Sequence, residues 1–399
     1  MNILLVTETL VTGGAETFVL RMASALHSRG EQVALYVLRG DEFDQSLVES
    51  IAPGVPIKLG RIPFLKFFLK IDGMFFMLGS RVSLVRWLQA IRLRSYLVSA
   101  KPDIIHSHLF TSDTVTALAT KTLAIPWLTT MHGDYLAYEK LMRSRAARII
   151  NFSETLSAIE KSVAHMVCIT DPQMKQLSRS VPTLAAQGRI SKIYNGYAST
   201  NVPIAGDIPQ ALRDIPLDAF VIGMVARGVR DKGWDVLISA FLELNLSNSW
   251  LVLVGDGEYI QQIKPSIHDN RIIFTGNVVD PLRYISRFDV GCLPSRFKSE
   301  SLPTVVIEYL YLGKPIIATR VGEVSIMLDV ESDTPAGLLI ELDSVEEMVK
   351  EIKIALQQLY TNKVQYEFFK KNTASALRKF DMGMCIDSYL AIYRDQLNA

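Results

Sequence analysis

Four charged side chains in the second half of the chain have types and spacings that could perform chemistry. Glu300 and Glu308 stand at the edges of an apolar stretch, whereas Arg227 and Lys232 share a charged loop. Pro303, between the two acids, suits the first turn of a helix because its missing N–H would have no partner there. Glu300 is therefore predicted in the loop before a helix, and Glu308 on the second turn of that helix.

The predicted helix would present an anion-binding end between the two acids. It should run to about Leu312, with Gly313 as its C-cap. The first turn of a helix has unpaired N–H groups and the positive end of the helix dipole, which together attract phosphate. Here these N–H groups lie around Leu302, Thr304 and Val305.

A diphosphate on this helix end would allow the four charged residues to act on one molecule. Glu300 could accept hydrogen bonds from hydroxyls on one side, and Glu308 from hydroxyls on the other. Arg227 offers the diphosphate a planar fork and Lys232 a compact charge. The arrangement suits a sugar nucleotide, which consists of hexose, diphosphate and ribose. Two alternatives stay open. Glu300 could belong to a helix cap while Glu308 lies on an exposed helix face, and Arg227 and Lys232 could simply be part of a solvated surface loop.

The size and composition of the chain narrow the class of protein. With 399 residues the chain is long for one hydrophobic core, so two domains are expected. The 42 lysines and arginines nearly balance the 41 acids, so the net charge gives no support to a nucleic-acid partner. The three cysteines are far apart and indicate buried thiols in a reducing compartment, with neither a disulfide nor a zinc site.

The amino-terminal residues predict a cytoplasmic protein. Residues 1–10 pass directly into a buried strand, without the basic segment and small-residue cleavage site of a secretion signal. The most apolar window, residues 62–80, is interrupted by two lysines and an aspartate, whereas a membrane-spanning helix needs about 20 nearly uncharged residues. We therefore expect no transmembrane helix.

Short apolar runs alternate with stretches of helical period along most of the chain, which predicts parallel sheets covered by helices. The first helix should begin at Ala15. The strands predicted in the first half are residues 2–8, 32–38, 103–108, 126–131, 166–170 and 192–196. Those predicted in the second half are residues 220–226, 250–257, 271–276, 289–294 and 315–319.

The alternation lapses in residues 198–217, which contain three prolines and predict a linker. Residues 1–197 and 218–378 should then each form a Rossmann-like domain. The expected fold class is α/β, with two doubly wound domains facing across a cleft. Ligands bind beyond the carboxyl ends of the strands in such sheets, so the loops that follow the strands should carry the chemistry.

The sequence resembles family 4 of the retaining glycosyltransferases, which have the GT-B architecture. In the second half the matching features are Arg227 with Lys232 before Gly233, "LVLVGDGE" followed by "IIFTGNV", and the Glu-x7-Glu spacing that ends in "EYLYLGKPIIAT". In the first half they are "TGGAE", "DIIHSH", "TTMHGDY" and "YNG". In enzymes of this architecture the first domain is the acceptor side, and a carboxyl-terminal helix, here residues 379–399, crosses back to it.

The resemblance implies roles for the matching residues. His132 resembles the family histidine beside the donor sugar, although a histidine satisfied inside the protein is an alternative. Gly13 and Gly14 resemble the glycine loop that approaches the donor phosphate or the acceptor. The implied catalytic residues are His132, Arg227, Lys232 and Glu300. The implied donor-binding residues are Gly13, Gly14, Arg227, Lys232, Glu300, Leu302, Thr304, Val305 and Glu308.

By the same resemblance, the protein is expected to be a retaining, metal-independent glycosyltransferase without a cofactor. It would move a sugar from a nucleotide-diphosphate sugar to a saccharide or lipid-linked acceptor in cell-surface polysaccharide or lipopolysaccharide synthesis. The sequence has no Asp-x-Asp motif, which disfavours the metal-dependent type. Glu300 could be a nucleophile, but the resemblance favours positioning of sugar hydroxyls. A sugar-nucleotide epimerase of the same architecture and a non-catalytic nucleotide-sugar-binding protein are the alternatives.

Residues 61–101 are locally basic in a nearly neutral protein. They contain eight basic residues against one acid, Asp72, and several aromatic residues stand between them. This mixture suits an anionic membrane, so the acceptor is expected to be a lipid-linked saccharide or lipopolysaccharide core, with the enzyme peripheral on the inner face. A helical pair packed on the first domain, with a basic outer face, is an equally open interpretation.

Overall fold

The computed structural model describes residues 1–11, 13–78, 83–133, 152–199, 207–298, 300–328 and 334–398. The chain divides into two compact units. The first unit contains Met1–Thr200 together with Phe380–Ala399, and the second contains Asn201–Lys379.

The first unit is built on seven parallel strands in the order β3-β2-β1-β4-β5-β6-β7. The strands are β1 Asn2–Thr7, β2 Gln32–Val37, β3 Ile57–Leu59, β4 Ile104–His108, β5 Trp127–Met131, β6 His165–Cys168 and β7 Ile190–Lys192. β1, β4 and β5 are fully or almost fully buried apart from the first residue of β1, as expected for central strands covered on both faces.

Helices cover both faces of this sheet. They are α1 Gly14–Ser28, α2 Gln45–Ile51, α3 Leu65–Met77, α4 Leu84–Ala100, α5 Phe110–Thr120, α6 Phe152–Ser162, α7 Asp171–Ser180, α8 Pro182–Ala186 and the carboxyl-terminal α16 Met382–Asn398. One core cluster joins α1 and α16 to the sheet, and a second joins α4 and α5. α16 enters the first core through the apolar and aromatic positions at helical spacing, Ile386, Tyr389, Leu390 and Tyr393.

The second unit is built on six parallel strands in the order β10-β9-β8-β11-β12-β13. The strands are β8 Phe220–Val225, β9 Ser249–Val254, β10 Ile272–Gly276, β11 Val290–Leu293, β12 Ile316–Thr319 and β13 Gly337–Ile340. The helices are α9 Trp234–Leu244, α10 Glu258–Ile263, α11 Pro281–Ile285, α12 Thr304–Tyr311, α13 Val324–Leu328, α14 Val345–Thr361 and α15 Lys363–Leu377.

Several predicted bounds differ from the structure, and β3 and β13 were not among the predicted strands. The strand predicted at 192–196 lies instead at Ile190–Lys192. The chain leaves the sheet there, and further on the Tyr197 N–H donates to the Phe380 carbonyl (2.8 Å). Within the predicted linker, Leu212 and Ile215 are buried because both side chains are apolar and pack on the second unit.

α3 and α4 form a hairpin whose single acid faces inward. The Asp72 carboxylate accepts hydrogen bonds from the Ser83 hydroxyl (2.7 Å) and from the N–H groups of Leu84 (2.7 Å) and Val85 (3.1 Å). An acid on α3 therefore caps the amino end of α4, where the helix dipole favours negative charge. Within the described ranges, no helix has both the length and the apolar composition needed to cross a bilayer.

Candidate active site

The turn after β8 and the loop after β11 place a cation and an acid in direct contact. Lys232 Nζ lies 2.6 Å from Glu300 Oε2, and the two side chains are only 13% and 10% exposed. Lys232 ends a short 3₁₀ turn, Arg230–Lys232, and Gly233 follows with a φ of 77°. A Cβ at Gly233 would lie 2.0 Å from the Pro294 carbonyl oxygen. Glycine therefore allows the Lys232 turn to approach the loop that leads to Glu300.

Arg227 lies between β8 and this turn and is exposed. Its carbonyl accepts hydrogen bonds from the Val229 N–H (2.8 Å) and from the buried Trp234 indole (2.9 Å). The structure thus fixes the backbone of Arg227 and leaves its guanidinium at the surface. The Lys232 and Glu300 side chains are brought together, whereas no contact of the Arg227 side chain with either of them is found among the described residues.

α12 forms where the sequence predicted it, with Pro303 at the N-cap and Gly313 in the left-handed region at its end. Leu302 is buried, and Thr304 and Val305 in the first turn are partly exposed. The Tyr309 hydroxyl donates to the Cys292 carbonyl (3.3 Å) and accepts from the Val225 N–H (3.0 Å). This aromatic side chain therefore anchors the helix over β8 and β11.

Glu308 is only 9% exposed, so it does not lie on an exposed helix face. A carboxylate with so little access to water needs hydrogen-bonding or charged partners. This excludes the surface alternative for Glu308 that the sequence left open.

In the first unit, Gly13 and Gly14 lie at the start of α1. Gly14 is the first helical residue, and Gly13 precedes it in an extended conformation. A Cβ at Gly13 would lie 2.3 Å from Glu16 Oε2. The Glu16 carboxylate also accepts a hydrogen bond from the Thr9 hydroxyl (3.2 Å). The absent side chain at Gly13 therefore makes room for a carboxylate beside the first turn of the helix.

His132 follows β5 and is hydrogen-bonded through both ring nitrogens. The Asn195 amide lies 3.4 Å from its Nδ1, and His108 Nδ1 lies 3.0 Å from its Nε2. With the amide as donor to Nδ1, the His132 Nε2–H donates to His108. The ring also packs against Phe18, with 5.3 Å between the ring centroids.

Burial keeps this histidine cluster neutral. It lowers the pKa of His132 and of His106 to about 3, and that of His108 well below its usual value. Next to His108, Leu109 has a φ of 75°, which is unusual for a residue with a side chain and is common at functional sites. His132 therefore does not supply a positive charge at neutral pH.

Two further polar residues, His106 and Ser295, contact these sites, and a third, Glu8, follows a strand of the first unit; the sequence did not single them out. His106 is fully buried between the Tyr393 hydroxyl (2.6 Å from Nδ1) and the Thr130 hydroxyl (2.8 Å from Nε2). Ser295 contacts Glu300. Glu8 follows β1, and burial raises its pKa. The position after a strand end could have identified Ser295 and Glu8, and the alternation with His108 could have identified His106.

The structure has the fold of the GT-B glycosyltransferases. It is similar to sucrose-phosphate synthase from Thermosynechococcus elongatus, with a TM-score of 0.73 and 19% identity over 99% of both chains. It is also similar to Anabaena HepE in complex with UDP-glucose, with a TM-score of 0.70 and 17% identity over 98% of this chain and 100% of HepE. These likenesses confirm the predicted fold of two Rossmann-like domains.

Sequence comparison identifies the family. Residues 219–358 match the model of the glycosyl transferases group 1, and residues 12–199 match that of Glycosyltransferase Family 4. The lipopolysaccharide core biosynthesis glycosyltransferase LpsD of Rhizobium meliloti is 28% identical over 325 residues, which are 80% of this chain and 79% of LpsD. The chain belongs to the group 1 and family 4 glycosyltransferases, and it is a glycosyltransferase, as its motifs predicted.

Proposed function

We propose that the protein is a retaining, metal-independent glycosyltransferase that uses a nucleotide-diphosphate sugar. The acceptor is a saccharide or a lipid-linked saccharide in cell-surface polysaccharide or lipopolysaccharide synthesis. The contact between Lys232 and Glu300, in loops that precede helices of the second unit, carries the proposal. Two similar proteins support the proposal: LpsD is a glycosyltransferase of lipopolysaccharide core biosynthesis, and HepE has been solved in complex with UDP-glucose.

In this proposal the second unit binds the donor. Lys232 and Arg227 neutralise the leaving diphosphate, on which negative charge builds as the glycosidic bond breaks. The N–H groups of Thr304 and Val305 at the amino end of α12 hold a phosphate of the donor, with Leu302 beside them. Glu308 accepts hydrogen bonds from the ribose. Positioned cations of this kind can stabilise the leaving group without a metal ion.

Glu300 orients the donor sugar by accepting hydrogen bonds from its hydroxyls. The acceptor then attacks from the face that the diphosphate leaves, so that configuration at the anomeric carbon is retained. His132, as a neutral imidazole, exchanges its 3.4 Å hydrogen bond with Asn195 for one to the donor sugar, and Gly13 and Gly14 allow the backbone at the start of α1 to approach the donor or the acceptor. No step requires a charged histidine.

A thermal-shift screen with UDP, GDP, ADP and their common sugar nucleotides tests the proposed donor class. A ligand that binds the native state raises the melting temperature. We expect one nucleotide class to do so and Lys232→Ala to abolish the shift. Lys353→Ala is the matched control, because Lys353 is also ion-paired in the second unit, 2.9 Å from Glu243, but on the surface helix α14. A full shift in Lys232→Ala would contradict the proposed site.

We also propose that the α3–α4 hairpin contacts an anionic membrane from the cytoplasmic side. α3 and the residues flanking it expose large apolar side chains, with Phe64, Met77 and Leu78 each about 80% exposed. Lys66 and Lys70 are exposed on the same helix, and the only acid, Asp72, is turned inward. α4 buries one apolar face in the core of the first unit and also exposes Trp87, Ile91 and Val98. An exposed apolar helix flanked by lysines suits a membrane interface.

Sedimentation with vesicles of phosphatidylglycerol in phosphatidylcholine tests this surface. Arg92 and Arg94 already donate to the carbonyls of Arg61 and Ala119, so they are poor probes. We expect the double variant K66E/K70E to lose sedimentation, and a substitution of the exposed Phe368 on α15 by serine to have no effect. Equal sedimentation of wild type and double variant would exclude this role.

A further inference from the structure

The loop of residues 294–298, between β11 and Glu300, is bonded to the turn that carries Lys232. Arg296 Nη2 lies 2.8 and 3.1 Å from the two carboxylate oxygens of Asp235, and it also donates to the Arg230 carbonyl (2.8 Å). The Arg296 N–H donates to the Asp231 carbonyl (2.7 Å). These bonds cross between two loops that are more than 60 residues apart in the sequence. The backbone around Glu300 is thereby held against the Lys232 turn.

Ser295 extends this attachment to the Glu300 side chain itself. It is fully buried, and its hydroxyl donates to Glu300 Oε2 at 2.8 Å. The same hydroxyl oxygen accepts the Phe297 N–H at 3.3 Å and lies 3.4 Å from the Asp231 carbonyl, a second and longer acceptor for its proton. Lys232 Nζ contacts this same carboxylate oxygen at 2.6 Å.

Both of these contacts of the Glu300 carboxylate are made at Oε2. Among the residues that the structure describes, none hydrogen-bonds to Oε1. A carboxylate accepts hydrogen bonds at both oxygens, so Oε1 is available to a sugar hydroxyl while Oε2 is held by the protein.

The two contacts at Oε2 should differ once a donor binds. Lys232 is the cation assigned to the diphosphate, and a diphosphate competes with Glu300 for its ammonium group. The Ser295 hydroxyl is buried, and its other acceptor, the Asp231 carbonyl, lies farther away at 3.4 Å, so Glu300 at 2.8 Å is its nearer acceptor. This hydroxyl is the group that can keep the carboxylate in place during the transfer.

We propose that Ser295 is a positioning residue that orients Glu300 toward the donor sugar, an inference that rests on the function proposed above. Ser295 does not touch the substrate. It holds one carboxylate oxygen so that the other meets the sugar hydroxyl, and a displacement of about 1 Å at such a group can lower the rate on the order of 100-fold. Its loss should therefore lower kcat without weakening the binding of the nucleoside diphosphate.

The test compares Ser295→Ala, Ser295→Thr and wild type. Turnover is followed as release of nucleoside diphosphate from the sugar nucleotide that gives the largest thermal shift, and affinity is measured by calorimetry with the matching nucleoside diphosphate. For Ser295→Ala we expect kcat to fall about tenfold to 100-fold, with the Kd within about twofold of wild type. Ser295→Thr keeps the hydroxyl and should recover part of kcat.

Ser249→Ala is the matched control, because Ser249 is equally buried in the same unit and its hydroxyl donates only to the Leu246 carbonyl (2.8 Å). It should leave kcat unchanged. Wild type that binds no nucleotide of the panel would overturn the proposed function itself. If wild type turns over and Ser295→Ala keeps the wild-type kcat, the proposed role of Ser295 is overturned. The role is also overturned if Ser295→Ala loses affinity and kcat together. If Ser295→Thr does not fold, the proposal is judged from Ser295→Ala alone, by whether its kcat falls while its Kd stays unchanged.

Discussion

At the scale of single residues, the Lys232–Glu300 pair combines two groups that the proposed reaction uses separately. Without a donor, each charge compensates the other in a largely dehydrated position, where an uncompensated charge is costly. With a donor, the lysine should turn to the diphosphate and the acid to the sugar. In the absence of a donor, the ion pair therefore keeps both side chains close to the proposed donor site.

Glu300→Gln separates these two roles. The amide has nearly the shape of the carboxylate but no charge, so the diphosphate no longer competes with a carboxylate for the ammonium group of Lys232. We expect the nucleoside diphosphate to bind as tightly as in wild type or more tightly, measured by calorimetry. Turnover should fall on the order of 100-fold, because the positioned acceptor for the sugar hydroxyl is weakened.

The control for Glu300→Gln is Glu243→Gln, since Glu243 pairs with Lys353 at the surface of the same unit. Unchanged turnover in Glu300→Gln, at an unchanged melting temperature, would remove Glu300 from the reaction. A loss of nucleotide affinity would instead show that the carboxylate holds Lys232 in its binding position.

At the scale of elements, α16 is joined to the central strands of the first unit by aromatic hydroxyls. Tyr393 lies 2.6 Å from His106 Nδ1 on β4, and Tyr389 lies 2.9 Å from the Thr130 hydroxyl on β5. His106 in turn packs against His108, with 4.2 Å between ring centroids and 34° between the ring planes, and His108 contacts His132. The carboxyl-terminal helix therefore supports the side of the cluster opposite to His132.

Tyr393→Phe removes one hydroxyl from this network and leaves His106 Nδ1 buried without a partner. An unsatisfied buried polar group costs about 1–3 kcal/mol, so we expect the free energy of unfolding of the first unit to fall by that amount. Urea unfolding followed by fluorescence measures it. Tyr360→Phe, whose hydroxyl bonds at the surface to the Ser247 carbonyl (2.9 Å), should cost less than Tyr393→Phe. Equal losses would mean that the His106 contact adds no stability.

At the scale of the whole molecule, charge is distributed unevenly although the net charge is only +1. The first unit carries the basic α3–α4 hairpin on its surface and a neutral histidine cluster in its interior. Surface lysines of this kind bring a protein to an anionic membrane, and their effect falls with ionic strength. The buried imidazoles respond to pH instead.

Acidification should destabilise the protein through His106 and His108. Their folded-state pKa values lie below the unfolded value of about 6.5, so the unfolded state binds more protons. The stabilising contribution is complete above about pH 6.5 and falls by about 1.4 kcal/mol per pH unit for each histidine, down to the folded pKa of about 3 for His106.

Urea unfolding between about pH 7 and about pH 5 measures this slope. The comparison is His106→Gln, which should show a shallower slope than wild type, with His27→Gln on the exposed side of α1 as control. A wild-type stability that is constant over this range would contradict the burial of neutral imidazoles.

Local patterns in the sequence were sufficient for most of the strands, with β3 and β13 missed, and for the helix at the proposed donor site. β8, β11, β12 and α12 appear close to their predicted positions because apolar period, Pro303 and Gly313 act within a few residues. The spacing of Glu300 and Glu308 around a helix start, and the family that this spacing indicates, were likewise readable from the sequence alone.

Only the tertiary structure decided which polar groups meet. Lys232 and Glu300 are 68 residues apart, and His106 and Tyr393 are 287 residues apart. No local period encodes such pairs, because they depend on the order of the strands and on the path of the loops between them. The burial of Glu308 and the hydrogen bond from Ser295 to Glu300 depend on the same tertiary packing. The residue types that make this chemistry available could be identified from the sequence alone.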